Sequence, residues 1–255
     1  MKYIDLNCDM GEMPEMLDDG GQEALMQYVS SANVACGGHA GDAGTMRRTI
    51  EQAMHAKVAI GAHPGYEDRA NFGRMTLNLS GEEIAASVHR QLAALDAVAK
   101  QCGAVVAHVK PHGALYNQAA RNAEIARAIA EGVSRWRKDL VLIGLAGSVM
   151  LDEFRSAGFR VAAEAFADRR YEADGSLRSR KFEDALLCEP ELAATQALRI
   201  VEEGNAIAAD GSVVPLRAQT ICIHGDTPGA VEIASAVYRR LAGAGVRVRS
   251  LGTGN

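Results

Sequence analysis

Positive charge is scarce and scattered in this chain. Its 27 lysines and arginines stand against 32 aspartates and glutamates, a formal net charge of -5 with no basic block, which argues against nucleic acid or an anionic membrane as the main partner. No apolar run approaches the length of a membrane span. The N-terminus, MKYIDLNCDMGE, turns polar within a few residues and lacks a signal-peptide core, so the expected address is the cytoplasm. Cysteine is sparse as well: five residues, with no CxxC pair, fit reduced thiols in that compartment. Cys8, Cys36 and Cys222 are expected as small packing groups. Only six prolines accompany 26 glycines, a balance that excludes disordered or collagen-like structure and suits many short turns. Three familiar catalytic signatures are missing: HExxH, GxSxG and GxxxxGK[ST]. A metal site would therefore have to assemble from separate strands, and a nucleotide would be held in an unconventional way or by another subunit.

What is present is one phrase, repeated: an apolar strand, then histidine or carboxylate, then glycine or proline. Its fullest form is VVAHVKPHGALYN, residues 105–117. The β-prone run Val105 to Val109 is stopped by Lys110 and Pro111, and Gly113 permits a tight path close to a ligand. Lys110, His112 and Tyr116 thus crowd one strand end. The phrase recurs at Tyr3 to Asn7, where Asp5, Asn7 and Asp9 share a face, with Glu12 in the loop beyond. It recurs at Ala32 to Ala35, where glycines bend the chain around His39 and Asp42, and at Val58 to Ala62 before His63. Arg160 to Ala165 exits into Glu164, Asp168, Arg169 and Tyr171, while Gln219 to Ile223 exits into His224 and Asp226.

Helices are expected between these strands, including one opened by the Ser80/Glu83 capping pair and one starting at Asn122, plus a hairpin at 205–216 turning on Asp210-Gly211. Asp18 to Gly21 reads as a turn, and Val246 to Val248 as a short last strand. Seven strands alternating with helices, with polar groups after the carboxyl ends of most, predict a single distorted (β/α)7-type barrel over residues 1–255.

Two chemistries fit the strand-end residues. Asp9, His39 and His63, with His112 and His224 nearby in the pattern, could supply oxygen and nitrogen ligands to a divalent metal such as zinc or manganese. Without a metal, His112 or His224 could serve as general base, Lys110 as cation for an oxyanion, and Asp168 or Asp226 as the group that orients histidine. His55 and His89 sit inside helical patterns and are expected to be ordinary packing or surface residues.

Taken together, DLNCDMGE, NVACGGHAGD, IGAHPGYED, FGRM, HVKPHGALYN, EAFADRRY with its downstream DGSLRSR, and ICIHGDTP resemble the LamB/YcsF family, in the right order from residue 3 to about 245. The resemblance implies an α/β barrel similar to the glycoside hydrolase and polysaccharide deacetylase barrels. It further implies ATP-dependent opening of 5-oxo-L-proline to L-glutamate, with Mg2+, in complex with separate B and C subunits. A five-membered lactam is a resonance-stabilised amide, so phosphorylating its carbonyl oxygen would supply an activated carbon and a driving force before water adds. On that reading Lys110 and Arg169 face the anionic oxygen or phosphate, and His112 or Asp226 deprotonates water. Asn7, Asn33 and Arg74 orient the substrate carboxylate and amide. The chain departs from the family pattern in MPEMLDDGG after DLNCDMGE, in GGHAGDA for GFHAGDP, and in NFGRM for GFGRR. The rival reading is a stand-alone metal-dependent amide hydrolase or deacetylase acting on a carbohydrate with Asp9, His39 and His63 as ligands. A third is a carbohydrate-binding or regulatory module without catalysis.

Overall fold

The computed structural model describes residues 2–251. In chain order they form β1 (Tyr3–Met10), α1 (Pro14–Asp18), α2 (Gly21–Met26), β2 (Ser31–Ala35), α3 (Ala43–Ala56), β3 (Ala59–His63) and α4 (Gly81–Gln101). There follow β4 (Val106–Val109), α5 (Gly113–Ala119), α6 (Ala123–Ser134), β5 (Val141–Leu145), α7 (Val149–Ser156) and β6 (Arg160–Phe166). The last part comprises α8 (Pro190–Glu203), β7 (Asn205–Ile207), β8 (Val213–Pro215), β9 (Thr220–Ile223), α9 (Ala230–Gly243) and β10 (Arg247–Val248). Strands β1 to β6 and then β9 pair in parallel, and β9 returns to β1, closing the seven-stranded barrel that the sequence predicts. β10 lies outside the ring, against Tyr3 and Ile4, and β7 with β8 forms the expected antiparallel hairpin. No helix among the described residues is long and apolar enough to cross a membrane.

Helices form where apolar residues recur every three or four positions. On α4, Ile84, Val88, Leu92, Leu95 and Ala99 are buried on one stripe, each large side chain contributing about 1.5–3 kcal/mol by leaving water. The Ser80/Glu83 capping box at its start is formed as expected. Asp42, read from sequence as a strand-end group, instead caps α3 with Thr45. The turn expected at Asp18 to Gly21 is formed, and it joins two short helices, α1, opened by Pro14, and α2. β1 continues to Met10 rather than stopping at Asn7, because Asp9 is paired in register with Asn33 and its carboxylate finds partners inside the barrel.

The barrel interior positions the site. At its lower end Val141, Ile143 and Ala162 pack with Leu251 as a small apolar plug. Above that plug the inward-facing residues are polar and buried, a filling that is stable only when each group is hydrogen-bonded. Asp5 accepts hydrogen bonds from the Ser30, Ser31 and Thr220 hydroxyls, yet burial still pushes its carboxyl up to about 6. Asn7 Nδ2 donates to Thr220 at 2.6 Å and to Glu164 at 3.0 Å. Asn33 Nδ2 bridges the side-chain oxygens of Asn7 and Asp9 at 2.8 Å each, and His108 Nε2 donates to Asn33 Oδ1 at 2.8 Å. His108 fits there because Gly61, facing it across a register shift between β3 and β4, has no side chain; a Cβ would run into the imidazole.

Candidate active site

The strands of the ring end at one rim, where a cavity of about 840 Å³ opens. Lys110, just past β4, reaches back into its floor. Its Nζ donates to Asp9 Oδ1 at 2.9 Å, Asn7 Oδ1 at 3.2 Å and Cys222 Sγ at 3.0 Å, and lies 3.0 Å from Glu164 Oε1. Burial opposes the charge, but Asp9, Cys222 and Glu164 outweigh it and hold the amine well above the ordinary lysine range. The converse holds for Asp9: against burial, His63 and Lys110 keep its carboxyl well below the usual carboxylate range.

Four side chains from four strand ends meet beside Asp9. Gly11, with φ +73°, turns the chain so that Glu12 Oε1 lies 2.8 Å from His39 Nε2, 3.1 Å from His112 Nδ1 and 3.7 Å from His63 Nε2. His63 Nδ1 faces the Lys110 carbonyl at 2.7 Å, and His112 Nε2 faces the Phe72 carbonyl at 2.9 Å. Both nitrogens must donate, since a carbonyl only accepts. The other nitrogens, His63 Nε2 and His112 Nδ1, therefore turn towards one another at 3.0 Å. Two imidazole lone pairs at that distance require a cation between them, a proton or a metal. The His39 ring stacks on His112 with centroids 3.6 Å apart, and its Nδ1 is buried without a partner.

Imidazoles oriented by backbone carbonyls together with a carboxylate form a donor set suited to a divalent ion, and the donor atoms of Glu12, His39, His63 and His112 all lie within 4.8 Å of one another. Burial lowers His39 to about 4, opposed by its bond to Glu12. His63 moves up despite burial because Asp9 and Glu12 face it.

Across the mouth, Asp168 fixes His224. The His224 backbone N–H donates to Asp168 Oδ2 at 3.0 Å, the ring Nδ1 lies 3.0 Å from Oδ1, and the Thr227 hydroxyl donates to Oδ2 at 2.6 Å. Burial raises the Asp168 carboxyl, but His224 and Thr227 bring it down to about 2. The ring stacks on Phe166, leaving Nε2 towards the cavity. A metal-type grouping of Asp9, Cys222 and His224, also within 4.8 Å, places Asp9 between the two histidine clusters. Outside them, Asp226 accepts from Arg180 at 2.7 and 3.3 Å and from Arg74, so Arg180 keeps its carboxyl low despite burial.

Every strand-end residue singled out in the sequence lies at this end of the barrel, but their depths differ. Lys110, His112, His224, Asp226, Arg74, Tyr116, Arg169, Asp9 and His63 line the cavity. Tyr116 carries a buried hydroxyl beside Glu164, and burial, with Glu164 adding to it, holds it well above the ordinary tyrosine range. Asn7 and Asn33, expected to touch substrate, are buried in the barrel with their amides engaged, so they position Asp9 and Lys110 instead. Glu164 likewise holds Lys110 from beneath, and Asp168 acts on His224. Of the residues expected as metal ligands, His39 and His63 fall in the candidate group with Glu12 and His112, while Asp9 falls in the grouping with Cys222 and His224, its Oδ1 engaged by Asn33 and Lys110 and its Oδ2 3.3 Å from His63 Nε2. Glu12 lies in what reads along the chain as loop, and the one sequence signal for it is the glycine before it. His108 and Arg180 carry no site signal of their own in the sequence. His55 is an exposed residue of α3, and His89 lies on α4 away from the cavity.

A model built on LamB/YcsF sequences matches residues 4–255. The chain belongs to the LamB/YcsF family. One LamB/YcsF relative, the 5-oxoprolinase A subunit of Chloroflexus aggregans, is 50% identical over 250 residues, which is 98% of this chain and 99% of the relative. The crystal structure of a lactam utilization protein from Thermus thermophilus superposes with a TM-score of 0.90 at 45% identity, over 98% of this chain and 100% of that one. A family 4 carbohydrate esterase from Streptomyces lividans shares the barrel fold alone, with a TM-score of 0.54 at 12% identity over 97% of this chain and 91% of that one.

Proposed function

We propose that this chain is the lactam-binding and ring-opening component of an ATP-dependent 5-oxoprolinase, converting 5-oxo-L-proline to L-glutamate in the cytoplasm together with B and C subunits. The observation that carries the reading is the joining of two proton-handling centres, Glu12/His39/His63/His112 and Asp168/His224, at one cavity. It is supported by near full-length likeness to a relative named as the A subunit of a 5-oxoprolinase.

In the reaction, the lactam carbonyl oxygen takes the terminal phosphoryl group of ATP with release of ADP; a first water adds to the activated carbon and the C–N bond breaks to leave an acyl phosphate of glutamate, from which a second water releases phosphate and L-glutamate. His112, whose Nε2 is tied to the Phe72 carbonyl, takes the proton of the first water at Nδ1. His224, oriented through Nδ1 by Asp168, passes a proton from Nε2 to the ring nitrogen as the C–N bond breaks. Lys110 keeps Asp9 ionised beside His63 and so fixes the charge of the floor. Asp226 is less suited to act as the base, since two arginines engage its oxygens. Glu12, His39 and His63 would hold a divalent ion, leaving His112 Nδ1 for the water proton; when bound, the ion would polarise a carbonyl or acidify a water.

The test is glutamate release from 5-oxo-L-proline by the chain alone and with its partner subunits, with and without ATP, before and after chelation. Turnover only with ATP and partners is expected, and His112→Ala and His224→Ala should lose it while staying folded. ATP-independent, chelator-sensitive release of acetate from an acetylated sugar would overturn the reading in favour of a deacetylase.

A further inference from the structure

The cavity is basic within an acidic protein. Most of its guanidinium groups have internal counter-ions: Arg74 and Arg180 share Asp226, and Arg178 pairs with Glu172 and Asp184. Arg169 is the exception. It lines the cavity at 6% exposure, and no carboxylate among the described residues forms an ion pair with it. One terminal nitrogen donates to the Arg178 carbonyl at 2.7 Å, which fixes the plane of the guanidinium, while Nε is buried with no partner. Asp168, its neighbour in sequence, is engaged by His224 and Thr227 instead.

A desolvated guanidinium without an anion is an expensive arrangement unless a ligand completes it. Burial and the nearby Arg180 bring its pKa down to about 10, and the pull of Asp168 and Asp226 does not offset them. In the ring, β6, which delivers Arg169, is three strand steps from β3 one way and three from β2 the other, so it stands across the mouth from the loops carrying His39 and His63. An anionic group seated on Arg169 would leave the rest of a small molecule between the two walls.

We propose that Arg169 is the seat of an oxyanion of the substrate, namely the carboxylate of the lactam, and that it selects acidic lactams over neutral ones. A planar guanidinium fixed through one nitrogen, with its remaining donors uncommitted, suits a carboxylate, and it suits phosphate by the same chemistry. The inference rests on the lactam reading given above, and the test separates the two.

Calorimetric titration of the 255-residue chain would compare 5-oxo-L-proline, its neutral carboxamide and inorganic phosphate, using wild type and the Arg169→Gln and Arg169→Lys variants. Thermal melts would confirm that each variant is folded. The acid should bind about tenfold or more tighter than the carboxamide to wild type, the gap should close in Arg169→Gln, and Arg169→Lys should recover part of it. Phosphate that binds through Arg169 without displacing the acid would move the assignment from the carboxylate to a phosphoryl group and overturn the carboxylate seat. Equal binding of acid and carboxamide to wild type, or equal weakening of both in Arg169→Gln, would overturn the inference while leaving the lactam reading intact. If neither lactam binds but phosphate does so through Arg169, the lactam reading fails and an anion seat survives. Absence of all binding in the millimolar range would overturn both.

Discussion

Replacing Lys110 with methionine keeps the volume of the side chain and removes its charge from the most crowded point of the barrel. The ammonium lies 2.9 Å from Asp9 and 3.0 Å from Glu164, both buried, and Glu164 has no other cation within ion-pair distance among the described residues. Attraction between buried charges scarcely exceeds the cost of dehydrating them, but deleting one partner leaves the other without compensation and costs about 3–5 kcal/mol. Lys110→Met should lose stability of that order at neutral pH in equilibrium urea unfolding, with the slope of the transition unchanged. Asp9 is held below its ordinary range in the wild type, so the contribution of this pairing is present at neutral pH and fades in acid. The loss should therefore shrink as pH falls and the stranded Asp9 carboxylate takes up a proton. Adding Glu164→Gln, which removes the second charge but keeps the shape, should restore a large part of the loss. A cost under about 1 kcal/mol for Lys110→Met, or no rescue by Glu164→Gln, would refute the claim that the floor is held by charge compensation.

Three further outcomes follow from the same geometry. Gly61→Ala should force His108 off Asn33 and destabilise the barrel by about 1–3 kcal/mol, seen as a lowered denaturation midpoint; an unchanged midpoint would contradict the close approach. Burial, with Lys110 adding to it, lowers His108 from its ordinary value of 6.5 to about 3. Below 6.5 the unfolded chain thus binds a proton that the folded one refuses, and stability should fall between those pH values by on the order of 4 kcal/mol; His108→Gln should flatten this part of the profile, and an unaltered slope would contradict it. Glu12→Gln should weaken cobalt binding, read from its visible absorption, by about tenfold or more, whereas an unchanged affinity would remove Glu12 from the ion-binding group.

The ring and the side of it that carries chemistry were legible because each strand of this chain announces its own end. Apolar runs stop at Lys110-Pro111, at His63-Pro64 and at His224-Gly225, and side chains placed after parallel strands are bound to share a rim. Depth was not legible. Asn7 and Asn33 look like substrate contacts along the chain, but the period of two that places them inside the ring does not say whether a pocket or a hydrogen-bonded core lies above them. His108 sits in an apolar run that gives no hint of Asn33 or Gly61, both far off in sequence. Glu12 needed the positive φ of Gly11 to be seen, and Arg180 needed the contact with Asp226, which lies 46 residues away. Asp42 misled because a strand-end carboxylate and a helix cap occupy the same place in the phrase.

Soaking crystals of the chain with 5-oxo-L-proline tests the central claim most directly. The lactam should lie in the cavity with its carbonyl towards Glu12, His63 and His112, its ring nitrogen towards His224 and its carboxylate on Arg169. A lactam bound away from the barrel mouth, or seated there with its carbonyl turned from the histidines, would contradict the account.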